Sequence, residues 1–192
     1  MRNSRGFTLV ELMIVVAIAA LLLLLAAPSF QDMILKQRLR GINAQLITDL
    51  QFARTEAVAR GRHARLFFNA DSGQTCYTIY VAEGDGLARC DCTRGAGATC
   101  TATGTSEVKT VSSPRSSQVL IEVATGQSPA FGFSYITGGL LTNPSDTEAL
   151  PLAQVQINTR VDDDRRLTNT VGQSGRPTVC APNSSRMGVT AC

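Results

Sequence analysis

Residues 12–27 carry no charged or polar side chain, and the only charge between positions 6 and 30 is Glu11. Extended by residues 7–10, this run is long enough, at about 1.5 Å per residue, for a helix to cross the ~30 Å hydrocarbon core of a bilayer. A cleaved secretory signal would need a basic start and small residues at the cut. Arg2 and Arg5 fit the start, but Leu25 stands where a small residue is needed, and Glu11 interrupts the apolar stretch. No cysteine stands directly after the run, where lipoprotein processing would need one, and this excludes a lipoprotein signal. A plain membrane anchor leaves Glu11 unexplained. A carboxylate inside a membrane helix costs about 2.5–3.5 kcal/mol or more, so it calls for a task and a partner.

The stretch Arg5-Gly6-Phe7-Thr8-Leu9-Val10-Glu11-Leu12-Met13-Ile14 closely resembles the class III signal of type IV pilins. The resemblance implies that a membrane prepilin peptidase cuts between Gly6 and Phe7 and that the new amine of Phe7 is methylated. Glu11 then stands fifth and Pro28 twenty-second in the mature chain, both positions where that family carries Glu and Pro. It also implies a task for Glu11, a charge pair with the N-terminal amine of a neighbouring subunit that sets register during assembly. In a dry bundle such a pair is strong, and an unpaired charge is very costly. Basic residues flank both ends of the run, Arg2 and Arg5 before it and Lys36, Arg38 and Arg40 after it, so charge alone leaves orientation open. The cleavage motif and the cysteines place the N-terminus in the cytoplasm and the rest in the periplasm.

Beyond the run, Leu35, Leu39, Ile42, Leu46, Leu50, Ala53 and Ala57 form one apolar stripe at helical spacing. Lys36, Arg40, Asn43, Asp49, Arg54 and Arg60 are expected on the opposite face. Gly61 marks the helix end. Pro28 removes a backbone donor inside the helix, so a kink is expected there, and Gly41 is a second weak point. After position 62 the pattern changes. Residues 64–69, 76–81, 119–123, 131–135, 152–158, 167–171 and 177–180 read as strands. Residues 84–117, rich in Gly, Thr, Ser and Ala, read as a long disulfide-tied loop or irregular hairpin. The expected fold is α+β: the type IV pilin fold, a long N-terminal helix packed on an antiparallel β-sheet head. The expected layout is a leader at 1–6, a transmembrane segment at 7–30, an amphipathic continuation at 31–62 and a periplasmic head at 63–192.

Cys76, Cys90, Cys92, Cys100, Cys180 and Cys192 all follow the apolar run, which points to disulfides in an oxidising compartment. The pairing is open, with Cys180–Cys192 preferred because it closes a short tail loop. Cys90, Cys92 and Cys100 lack the second half of a zinc site. Asp162-Asp163-Asp164 lacks the interleaved ligands of a calcium loop and reads as a hairpin turn. His63 is the only histidine, so no histidine cluster or hydrolase triad can form around it. There is no phosphate-binding Gly-Lys loop. Neither a cofactor nor a metal is expected, and an enzyme is not the expected class.

The net charge of +3 names no partner by itself. Arg160, Arg165, Arg166, Arg176 and Arg186 crowd the end of the chain beside the three aspartates. The helix stretch 49–58 and the tail 165–180 resemble the FimT/FimU and GspH branch of the pilin superfamily. DNA-binding members of the FimT type carry Gly-Arg-x-Arg here, whereas Gly175-Arg176-Pro177-Thr178 has Thr in the last place. DNA contact by Arg165, Arg166, Arg176 and Arg186 is therefore the weaker expectation. The resemblance implies first a minor pilin of the pilus tip or priming complex, supporting twitching, adhesion or DNA uptake. Its expected partners are other minor pilins, the major pilin and an inner-membrane assembly platform. The alternative is a type II secretion pseudopilin of the GspH type.

Overall fold

The computed structural model describes residues 8–82, 89–142, 150–182 and 185–192, without the side chains of 24–29. One helix, α1, runs from Leu9 to Arg60. The chain divides into two units, Met1–Gln37 and Arg38–Cys192. In the first unit the described residues are helical from Leu9 onward, with Lys36 and Asp32 paired at 2.7 Å one turn apart.

Among the described residues, the second unit holds the end of α1 and ten strands in two antiparallel sheets. The strands are β1 Ala64–Ala70, β2 Gln74–Ala82, β3 Thr105–Pro114, β4 Leu120–Val123 and β5 Ala130–Phe133. They continue as β6 Leu140–Thr142, β7 Leu150–Pro151, β8 Gln154–Arg160, β9 Arg166–Gly172 and β10 Pro177–Cys180. The larger sheet has the order β3-β2-β1-β5-β6-β7 and the smaller β10-β9-β8-β4. The helix stops where the sequence predicts. Gly61 has φ +62°, its N–H bonds the Val58 carbonyl, and the Arg62 N–H bonds the Ala57 carbonyl. This is a Schellman end, and Gly takes the left-handed conformation without a Cβ penalty.

The apolar stripe is the seam between helix and sheets. Leu46, Leu50, Ala53 and Ala57 are fully buried against Leu66, Tyr77, Ile79, Phe131 and Phe133 of the larger sheet and Ile157 and Val171 of the smaller. A second cluster joins Leu39 to Val119, Leu167, Ala181 and Met187, so the chain's tail closes over the helix. Both sheets therefore share one helix, the α+β arrangement that the sequence predicts.

Three expectations need correction. Residues 105–114, inside the stretch read as a disulfide-tied loop or irregular hairpin, form a regular strand, β3, which pairs along the whole of β2. Its run of Thr, Ser, Glu and Lys shows no apolar alternation because it is an edge strand, half-buried along most of its length. The short strands β6 and β7 were also missed. Asn43 and Asp49 lie inside rather than on the solvent face. They flank the stripe, one turn from Leu39 and Leu46, and polar partners receive them. Asn43 Oδ1 accepts from Thr159 Oγ1 at 2.6 Å and from Asn169 Nδ2 at 2.7 Å. Asp49 accepts from Tyr77 Oη at 2.7 Å and from Lys109 Nζ at 2.6 Å. Burial, with the Asp49 carboxylate next to it, pushes the Tyr77 hydroxyl well above its usual range, so it stays a donor.

Candidate assembly segment and basic turns

The first turn of α1 is capped by Thr8. Its Oγ1 accepts the Glu11 N–H at 3.2 Å, and its carbonyl accepts the Leu12 N–H at 3.2 Å. Thr8 followed three residues later by Glu11 is the capping-box pattern, a readable signal that sequence reasoning passed over. A carboxylate in the first turn also sits favourably at the positive end of the helix. The Glu11 carboxylate has no cationic partner among the described residues. From Leu9 to Leu23 the large apolar side chains are exposed on every side of the helix, from 53 % at Ile18 to 73 % at Leu9. Among the described residues no helix is long and apolar enough to cross a membrane. The described side chains of the apolar run stop at Leu23. Gly6 and Phe7 lie outside the described residues, and Pro28 falls within α1 with its side chain outside them.

The six cysteines form Cys76–Cys92, Cys90–Cys100 and Cys180–Cys192. The first two tie the 3₁₀ turn Cys92–Arg94 to β2 and to the strand-poor segment before β3. Two carboxylates fasten that segment further. Asp91 Oδ1 accepts from Asn69 Nδ2 at 2.9 Å, from Thr93 N at 3.0 Å and from Thr93 Oγ1 at 2.8 Å. Glu107 Oε2 accepts from Thr99 Oγ1 at 2.6 Å and from Gly97 N at 2.9 Å. Burial alone would raise both carboxyls, but these bonds outweigh it and hold both below the usual range. Among the described residues no group of His, Cys, Asp and Glu could hold a metal ion. His63 is buried, with its ring 5.0 Å from that of Tyr135.

The structure separates the arginines that the sequence grouped together. Arg165, Arg166 and Arg186 gather near the turn between β8 and β9, and each is engaged. Arg165 binds Asp162 through Nε at 3.0 Å and through a second guanidinium nitrogen, which holds the Asp162 carboxyl below its usual range. Arg166 Nε donates to Asn158 Oδ1 at 3.2 Å. Arg186 lies 3.8 Å from Asp164, both well exposed. Arg160 forks onto Glu122 at 3.1 and 3.3 Å, a bond that raises its own pKa. Arg176 sits at the other end of β9, in the turn to β10. Seven residues of strand at about 3.3 Å each separate the two turns.

At that far turn the helix meets two glycines. Arg54 Nε donates to the Gly138 carbonyl at 2.9 Å. Gly138 has φ +66°, and a Cβ there would lie 2.7 Å from Arg54 Nε. Gly175 has φ +74°, and a Cβ there would lie 2.3 Å from the Gly138 carbonyl oxygen. Any side chain at 175 would force the two turns apart. The helix stretch 49–58 and the Gly175-Arg176 turn, singled out separately in the sequence, thus form one junction.

Residues 1–27 match the family model of the prokaryotic N-terminal methylation motif, and residues 44–175 match that of type II transport protein GspH. No curated protein matches the chain. Among solved structures, two crystal forms of the type IV minor pilin FimU of Pseudomonas aeruginosa are similar. One has TM-score 0.43 and 13 % identity, covering 77 % of this chain and 92 % of that one. The other has TM-score 0.44 and 13 % identity, covering 80 % and 92 %. The GspH model spans most of the sheet-bearing unit and the helix end that packs on it, so this chain belongs to the family of type II transport protein GspH.

Proposed function

We propose that the chain is a minor pilin that joins the tip or priming complex of a type IV pilus after cleavage between Gly6 and Phe7. The observation that carries this is the start of α1. A helix that exposes Leu, Ile, Val and Met on every side, with one carboxylate in its first turn, has no stable place in water. It needs lipid before assembly and apolar neighbours afterwards. The match of residues 1–27 to a methylation motif supports processing at this end. In this reading the helix anchors the precursor in the inner membrane with the head in the periplasm, and the three cystines suit that compartment. Glu11, without a described cation, is then answered by the amine of Phe7 on an adjacent subunit. Mass spectrometry of the mature N-terminus from membranes tests the reading. A chain beginning with methylated Phe7 is expected, and one beginning at Met1 or beyond position 27 ends the proposal. Glu11→Leu is expected to leave membrane insertion intact and to lower incorporation into filaments.

A type II secretion pseudopilin is the second reading, favoured by the description of the family model that matches 44–175. The same processing and the same helix serve either filament, and the neighbouring genes distinguish them. DNA contact through the terminal hairpin has less support. Phosphate binding along a duplex needs several cations on one face. Here Arg160, Arg165 and Arg186 face acids, and Arg176 lies at the opposite end of β9.

A further inference from the structure

We infer that the notch between α1 and the β9–β10 turn is a binding site for a single oxyanion, supplied as a carboxylate by a neighbouring protein subunit. The notch is about 340 Å³ and is lined by Gln51, Arg54, Thr55, Gly175, Arg176 and Pro177. Two of its six lining residues are arginines and none is acidic. Arg54 is fixed in place. Its Nε is committed to the Gly138 carbonyl, and its Cδ lies 3.4 Å from where a Gly175 Cβ would be. That leaves the terminal nitrogens of a held, half-buried guanidinium without a described partner. Arg176, exposed in the adjoining turn, has no partner among the described residues. The Gln51 amide adds a neutral donor. The Thr55 hydroxyl donates to the Phe52 carbonyl of its own helix at 2.8 Å and is not needed. Two cations at one concavity repel each other, and an anion between them removes that repulsion while gaining charge-assisted bonds. A held fork suits the planar, two-oxygen geometry of a carboxylate.

The surroundings favour a protein over a nucleic acid. Arg54 is also a wall of an adjoining cavity of about 380 Å³, lined by Thr55, Val58, Ala59, Ile136, Thr137 and Gly138. Val58 is 58 % and Ile136 74 % exposed there. An acidic side chain beside an apolar one fills both cavities, whereas a phosphodiester backbone offers nothing to the second. The other hairpin arginines are engaged and distant, so no row of cations follows from the notch. That the protein partner is a fellow filament subunit rests on the function proposed above. The oxyanion site itself does not.

The test is nuclear magnetic resonance of the full chain in detergent micelles, following the Arg54 side-chain Nε–Hε signal. Sodium acetate and inorganic phosphate are titrated against sodium chloride at matched ionic strength. A saturable shift with the oxyanions and none with chloride is expected. Arg176→Gln, an exposed change that spares the fold, is expected to weaken that binding about tenfold, the loss of one charge-assisted contact. Arg176→Lys should retain part of it, and Thr178→Ala all of it. Shifts that do not saturate, or that survive Arg176→Gln unchanged, overturn the site. A short acetylated peptide of sequence Leu-Glu-Leu should bind more tightly than acetate and also shift Val58 and Ile136. If duplex DNA saturates the same signals and the peptide does not, the assigned occupant is wrong. None of these readouts depends on cleavage at Gly6, so failure here and failure of the pilin reading are separate results.

Discussion

The two stretches of α1 have opposite fates with the same backbone. Residues 9–23 are almost wholly apolar and almost wholly exposed, whereas residues 38–60 are mixed and bury five apolar positions completely. Apolar content does not decide burial; spacing does. Leu39, Leu46, Leu50, Ala53 and Ala57 fall on one stripe that two sheets can cover, and the polar residues between them stay wet or meet partners. Leu9 to Leu23 has no polar side to leave in water. The first stretch is specified for a different solvent or for other helices, and the second for this chain's own strands.

The sharpest way to break that contrast is to truncate one leucine in each stretch. Leu46→Ala removes a fully buried side chain and is expected to cost about 3 kcal/mol. Leu22→Ala, 62 % exposed, should change head stability by less than about 0.5 kcal/mol. Denaturant unfolding followed by near-ultraviolet circular dichroism compares them, and equal losses would contradict the division. Next in size is Asn43→Ala. It leaves the Thr159 hydroxyl without its acceptor and takes one bond from the Asn169 amide, at an expected cost of about 2 kcal/mol. If Asn43→Ala is neutral in the same assay, the polar flank of the stripe contributes shape alone. Gly61→Ala strains the left-handed residue that stops the helix and should cost about 1 kcal/mol, again only in the head.

Legibility followed the same contrast. The stripe, the Gly61 stop and most strands stood out because apolar spacing reports burial directly. Asn43 and Asp49 did not, because a polar residue beside a stripe looks like solvent-facing surface until its partners are known. Those partners, Thr159, Asn169, Tyr77 and Lys109, are far off in sequence. β3 was hidden for a related reason. An edge strand takes its order from pairing with β2, and its side chains carry little periodic signal. At the candidate sites, Glu11 was visible as a lone charge, while Thr8 required reading three residues back. Arg54 and Gly175 were noticed separately. Only the fold shows that a carbonyl fills the space where a Gly175 side chain would be.

The smallest expected effect concerns a region held by carboxylates rather than by the stripe. Asp91 and Glu107 have carboxyls held below their ordinary range in the folded chain. The unfolded state therefore binds protons more readily than the native one as pH falls. The stability these groups contribute is present above the ordinary carboxylate pKa of about 4 and is lost as pH falls through their lower folded values. The cystines keep the segment covalently tied throughout, so the loss should be local. Amide signals of Thr93, Gly97 and Thr99 are expected to shift and lose protection below about pH 4, while those of Leu46, Leu50 and Ala53 stay unchanged. Simultaneous loss in both sets would mean that these carboxylates support the helix–sheet seam as well, and that the burial stripe does not stand alone.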